Sequence, residues 1–360
     1  MNDRLTNLRE ALAAQELDGI LITQPENRRY LSGFTGSAGV LVVTQDRASL
    51  ATDFRYYEQV KAQAHGWELV PVTDSLIKTL AEHVMGLGAA KLGFESQHLT
   101  VHIHREWIQA MGAVEWIPTS GMVETLRQIK SEEEIDATIE AIGIADDAMA
   151  HIYEWLRPGV TEREVAWELE VHMRTHGAEA LSFTTIVGSG PNGAMSHAVT
   201  SERQIQVGDP IVIDMGAVYH GYCSDLTRSF CLGVADGFYR SVWNTVLEAQ
   251  LEAEKGIVGG MSGIEADALA RDIIYAAGHT GRFGHGLGHG VGLAIHESPR
   301  ASRAYPGEIP SGSLLTVEPG VYIPDWGGIR IEDMVVVREE GCQVLTQVPK
   351  LPVVGTRYAK

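Results

Sequence analysis

Cysteine is scarce: Cys223, Cys231 and Cys342 are the only three in 360 residues. Their odd number and wide spacing exclude a disulfide framework and a thiolate zinc site, and they fit a reducing cytoplasm. Positive charge is also short, with 28 Lys and Arg against 47 Asp and Glu. The resulting net charge of −19 argues against nucleic acid, whose binding depends on neutralising phosphates. Such acidity keeps a protein soluble and says nothing specific about a substrate. No apolar run reaches membrane-spanning length, so no membrane partner is expected. The first ten residues lack the apolar core of a signal peptide, and a cytoplasmic protein is expected. Short repeats and low-complexity segments are missing as well.

What is present describes a folded chain: 44% hydrophobic residues, 21% charged, and enough length for two domains of ordinary size. In the first part, a helical pattern over Leu5 to Gln15 is followed by strand-like runs at 19–23, 39–44, 48–52, 91–95 and 114–118. That alternation predicts an α/β layer domain over residues 1–124. The style then changes. Ser131 with Glu134 makes a capping box for a long helix whose apolar stripe is Ile135, Ile139, Ile142, Met149, Ile152 and Leu156, ending at Pro158-Gly159. Thr161 with Glu164 caps a second helix that stops at Gly177, and further helices are expected at about 235–258 and 262–277. Strand-like runs at 183–187, 210–217, 314–318 and 334–337 make residues 125–360 an α+β domain.

Every candidate ligand lies in this second domain. Asp214 ends the apolar run Pro210-Ile-Val-Ile, where a carboxylate is costly to bury unless it is paired or binds metal. Asp225 follows eleven residues later, beyond Tyr219-His-Gly-Tyr, which reads as a hairpin turn that could bring both acids to one site. Glu318 terminates another apolar run, and Glu332 shares the face of its expected strand with Arg330. Between them, His285-Gly-Leu-Gly-His289-Gly-Val-Gly292 has glycine at every second position. That density opposes a helix. In an extended strand it leaves one bare face for close approach and projects His285, Leu287, His289 and Val291 from the other. Four carboxylates and one imidazole suit two divalent cations. Oxygen-rich ligation favours Mn²⁺ over a thiolate type of zinc site, with Co²⁺ or Zn²⁺ as alternatives, and paired ions suit hydrolysis.

The ordered set Asp214, Asp225, His289, Glu318 and Glu332 resembles the pita-bread metallopeptidases, which include methionine aminopeptidase, proline dipeptidase and aminopeptidase P. The resemblance spans essentially the whole chain. It implies a creatinase/prolidase-type N-terminal domain, a pita-bread catalytic domain, and those five residues as ligands of two metal ions. His296-Glu297-Ser-Pro299 and Gly188-Ser-Gly-Pro-Asn192 with His197 look like the proline-specific branch. By that resemblance His197 and His296 line the site, and Glu318 also accepts the proton of the attacking water. One departure is visible: Ser196 precedes His197 where many relatives carry proline. Short peptides with proline in second position are the implied substrates, and a homodimer is the implied assembly. A metal-free peptide-binding module or a creatinase-like hydrolase is the competing class; the intact ligand set counts against both.

Two proline-specific activities remain open. Asn27-Arg-Arg-Tyr-Leu-Ser-Gly-Phe34 with Asp53-Phe-Arg55 looks like the N-terminal domain of short bacterial aminopeptidases P, which favours an Xaa-Pro aminopeptidase. The alternative is an Xaa-Pro dipeptidase, which must also grip a free carboxylate. Arg300 and Arg303 are the candidates for that role, and Arg330 is a further substrate-binding candidate.

Overall fold

A computed structural model describes residues 2–359. The chain divides into two compact units, one running to Arg127 and the other from Gln128. The expected boundary at 124/125 falls inside the helix Met122–Gln128, so the division comes at that helix's end.

The first unit is built on six strands: β1 (Gly19–Ile22), β2 (Val40–Thr44), β3 (Ala48–Asp53), β4 (Glu68–Val72), β5 (Lys91–Glu95) and β6 (Glu115–Thr119). They form one mixed sheet in the order β4-β3-β2-β1-β5-β6. Five were legible as apolar runs. The sixth, β4, carries Pro71, which cannot donate to a ladder, and it lies at the sheet edge where that loss is tolerated. The Asn27-Arg28 motif is scaffold. Asn27 is fully buried against Glu95, and the Arg28 guanidinium donates to the carbonyls of Gly36 and Gly39 at 3.0 and 2.7 Å. These contacts pin the loop leading into β2.

The second unit opens with the expected helices, Glu132–Trp155 and Glu162–Thr175, and both capping boxes are formed. Ile139 departs from the stripe: it sits at the stripe's edge and is 39% exposed. Fourteen strands complete the unit: β7 (Ala180–Leu181), β8 (Ile186–Ser189), β9 (Pro210–Met215), β10 (Ala217–Tyr219), β11 (Tyr222–Cys223), β12 (Leu226–Leu232), β13 (Gly288–Gly290), β14 (Glu297–Ala301), β15 (Leu314–Val317), β16 (Gly320–Ile323), β17 (Gly327–Arg330), β18 (Asp333–Arg338), β19 (Gly341–Val344) and β20 (Val353–Val354). Two sheets dominate, β20-β12-β9-β8 and β14-β13-β15-β18-β19. The first is packed by the opening helices through Met149, Ile152, Leu169, Ile211, Ile213 and Phe230. The second is packed by the helices Gly237–Gly256 and Gly263–Ala276 through Val246, Ala249, Ala270, Leu315 and Val335. Full burial of each large apolar side chain stabilises by about 1.5–3 kcal/mol, so these two cores are the rigid walls on which the site hangs. Among the described residues no helix is long and apolar enough to cross a membrane.

Candidate metal centre

Strand ends deliver the acids. β9 and β12 pair antiparallel with Asp214 opposite Thr227, which brings Asp225, the residue before β12, alongside Asp214. The chain turns between them at His220-Gly221, both with positive φ (46° and 77°), the backbone a tight hairpin demands. Glu318 follows β15, its N–H donating to Leu287 O at 2.8 Å. Glu332 lies at the joint between β17 and β18, not inside one strand with Arg330 as expected, yet both side chains face the same cavity.

The glycine-rich stretch is extended only over Gly288–Gly290, with a bulge between His289 and Gly290. Strict alternation therefore fails. Leu287 and Val291 are buried in separate apolar clusters, while His285 and His289 line the cavity. Close approach is confirmed at Gly288 and Gly290, where an added Cβ would meet Thr316 O at 1.9 Å and Ser298 O at 2.5 Å.

One carboxylate oxygen from each of Asp214, Asp225 and Glu332 lies within 4.8 Å of the others. His289 Nε2 stands 3.6 Å from Asp225 Oδ2 and 3.5 Å from Glu318 Oε1. All five line a cavity of about 800 Å³, together with His197, His285, His296, Arg300 and Arg330. Arg303 is exposed and outside that lining.

The donor set fits cations. Asp214 Oδ1 and Glu332 Oε1 are buried without a hydrogen-bond partner among the described residues, an arrangement that is costly unless something positive meets them. Burial, then repulsion among the acids, pushes Asp225 and Glu332 well above the usual carboxylate range. Burial lifts Asp214 too, and pushes Glu318 up to about 7. The imidazole is prepared to match. Burial pushes His289 down to about 4, so its ring is neutral. Its Nδ1–H donates to Gly290 O at 3.1 Å, leaving the Nε2 lone pair aimed at the acids.

Arg330 is engaged on every side. Nε donates to Thr227 Oγ1 at 2.9 Å, Nη1 to Ser196 O at 3.0 Å and to Tyr322 Oη at 2.8 Å, and Nη2 to Asp214. The Tyr322 O–H donates a hydrogen bond to His285 Nε2 at 2.9 Å, because the His285 Nδ1–H already donates to Gly286 O. Thr227 and Tyr322 were not foreseen. Thr227 had a signal, being two residues beyond Asp225 on one strand face; Tyr322 had none. Arg300 is the opposite of Arg330: exposed at the cavity wall, its guanidinium has no hydrogen-bond or ion-pair partner among the described residues.

Glu162 was also missed, since it reads as an ordinary acid in a helix's first turn. It is fully buried and accepts from the backbone N–H and hydroxyl of both Ser189 and Ser201 and from Asn192. These bonds clamp both ends of the loop that carries His197. Glu162→Ala is expected to cost about 2–4 kcal/mol by stranding buried donors, and, on the catalytic role that the resemblance implies for His197, to lower kcat about tenfold or more through loss of its position. Urea unfolding and steady-state kinetics check both; undiminished kcat would detach the loop from catalysis.

Comparison with known proteins fits this geometry. Residues 136–339 match the model of metallopeptidase family M24, and residues 4–129 match the creatinase/prolidase N-terminal domain. The chain is similar to an Xaa-Pro dipeptidase structure from Bacillus anthracis, 46% identical with a TM-score of 0.96 over 98% of this chain and 99% of that one. An Xaa-Pro dipeptidase from Pyrococcus horikoshii is 36% identical over 96% of this chain and 97% of its own. An X-Pro aminopeptidase structure from Thermotoga maritima is 36% identical, with a TM-score of 0.89 over 96% of this chain and 100% of that one.

Proposed function

The chain belongs to metallopeptidase family M24, with a creatinase/prolidase-type N-terminal domain and a pita-bread catalytic domain, and on that premise we propose that it is an Xaa-Pro dipeptidase. The aminopeptidase expectation gives way because the Bacillus and Pyrococcus relatives are dipeptidases. Of the N-terminal motif on which it rested, Asn27 and Arg28 are buried scaffold while Phe54 and Arg55 are exposed.

The observation that carries the reading is Arg300. A dipeptide ends in a carboxylate one residue beyond its scissile carbonyl, and a planar guanidinium binds a carboxylate through two parallel hydrogen bonds. Arg300 is the unpaired cation on the wall of the cavity that holds the acids. Arg303, exposed and off that wall, is assigned no role. Arg330, first read as substrate-binding, is assigned a positioning role because its N–H groups are spent on Thr227, Ser196, Tyr322 and Asp214.

Asp214, Asp225, His289, Glu318 and Glu332 would hold two divalent cations, Mn²⁺ by the oxygen-rich donor set. Bound there, the cations supply positive charge that polarises the scissile carbonyl and acidifies the attacking water. The protein's own groups do the rest. Glu318 accepts the water's proton at a carboxylate oxygen. His197 and His296 on the cavity wall donate to the carbonyl oxygen as negative charge develops on it. Proline supplies no N–H at the scissile bond, so nothing in this arrangement needs to read one.

The second reading is an Xaa-Pro aminopeptidase, supported by the Thermotoga maritima neighbour. Mass-spectrometric product analysis with Mn²⁺, offering Xaa-Pro dipeptides and Xaa-Pro-Yaa peptides side by side, separates the two. Cleavage confined to dipeptides is expected. Efficient release of the first residue from the longer peptides would establish the aminopeptidase instead.

A further inference from the structure

On the surface of the second unit, away from the cavity lining, three imidazoles are stacked. His172 and His176 lie four residues apart, one above the other on one face, at the end of the helix Glu162–Thr175. Their rings are 3.9 Å apart and 11° from parallel, and His151 of the helix Glu132–Trp155 stacks on His172 at 4.5 Å. Asp147, one turn before His151, places Oδ2 2.7 Å from His172 Nε2. One atom each from Asp147, His172 and His176 lies within 4.8 Å of the other two.

We propose that Asp147, His172 and His176 form a second metal site, separate from the catalytic centre, that takes a borderline divalent cation such as Zn²⁺.

The donors are prepared in the way metal ligands usually are. His176 Nδ1 lies 2.7 Å from the carbonyl of His172, which can only accept, so Nδ1 carries the proton and Nε2 offers its lone pair. His172 is the half-buried member, its side chain 14% exposed, which limits the freedom lost on binding. Its Nε2 proton, now shared with Asp147, moves to Nδ1 or to solvent when a cation takes its place. The hydrogen bond from His172 also fixes the Asp147 carboxylate beside the imidazoles, with Oδ2 2.7 Å from Nε2. His151 is tied to Glu168 at 2.7 Å and backs the His172 ring. Tetrahedral zinc with ligand bonds of about 2.0–2.1 Å needs ligand atoms roughly 3.4 Å apart. Side-chain rotations that unstack the His172 and His176 rings, so that their in-plane lone pairs converge, reach that spacing, and water completes the shell.

Two imidazoles with one carboxylate favour Zn²⁺, Ni²⁺ or Cu²⁺ over Mn²⁺, whereas the catalytic centre offers one imidazole among four carboxylates. The same chain therefore sorts two classes of cation by donor chemistry.

Equilibrium dialysis of the whole protein against Zn²⁺ with excess Mn²⁺, read by elemental analysis, tests this. Wild type is expected to retain one equivalent of zinc more than His172→Ala/His176→Ala, with hydrolysis at saturating Mn²⁺ unchanged between them. An Asp214→Asn/Asp225→Asn variant is expected to keep that equivalent. His176→Gln, an exposed change, carries the same comparison should the double variant fail to fold. Equal zinc in wild type and the histidine variants, or zinc lost only with the Asp214/Asp225 pair, overturns the site.

Discussion

Asp225→Asn is expected to raise the melting temperature of the metal-stripped protein while abolishing the proposed hydrolysis of Xaa-Pro dipeptides. Both effects come from one fact. Asp225 is buried with Asp214, Glu318 and Glu332 close by, and burial and their repulsion oppose its charge. A carboxyl whose folded pKa is raised weakens the fold at every pH above its unfolded range. Asparagine removes that burden, so the gain is present at neutral pH and vanishes once acid protonates the carboxyl in both states. We expect about 1–3 kcal/mol, or roughly 2–4 °C per kcal/mol for a unit of this size. With Mn²⁺ the order should reverse, because wild type gains the linkage energy of tight binding and the variant loses a ligand. Turnover should fall on the order of 10³-fold, about 4 kcal/mol of transition-state stabilisation. Thermal melts with chelator and with Mn²⁺, run beside kinetics, read all three. A variant less stable than wild type in chelator would remove the charge-repulsion account, and near-native turnover would remove Asp225 from the ligand set.

Arg300→Ala is expected to separate substrates. Against an Xaa-Pro dipeptide, kcat/KM should fall on the order of 10²-fold, from losing a charge-assisted pair of about 2–3 kcal/mol. Most of the loss should appear in KM. The C-terminal amide of the same dipeptide lacks the charge and should be cut with nearly the same efficiency by wild type and variant. Arg300→Lys should recover only part of the loss, since an ammonium cannot match the planar fork. Arg303→Ala, outside the cavity lining, should change neither substrate. Equal losses on the acid and the amide would mean that Arg300 supports the cavity wall and does not read the substrate's end.

The sequence was most informative where chemistry is local. Ser131 with Glu134 and Thr161 with Glu164 mark helix starts because a capping box closes within four residues. His220-Gly221 marks a hairpin because few other residues accept two successive positive φ values. The alternating glycines announced close backbone approach, although the bulge after His289 was invisible, since a bulge depends on the partner strand. The edge strand β4 went unread, and its Pro71, like Pro118 in β6, is tolerated because each strand lies at an edge of the sheet, a position only the sheet order reveals.

The identity of the candidate site was likewise written in the order of its residues: Asp214, Asp225, His289, Glu318 and Glu332 each stand where an apolar run stops or a glycine run passes. Their division of labour was not. Arg300, Arg303 and Arg330 are alike as letters, and tertiary packing alone leaves the first free on the cavity wall, turns the second outward and surrounds the third with acceptors. Glu162 looks like any first-turn acid until the loop at 189–201 closes over it. The reason is physical. Propensity, capping and turn chemistry act between residues a few positions apart, whereas burial, charge repulsion and hydrogen-bond satisfaction are set by neighbours that may be a hundred residues away, as Arg330 and Asp214 are 116 apart in the chain.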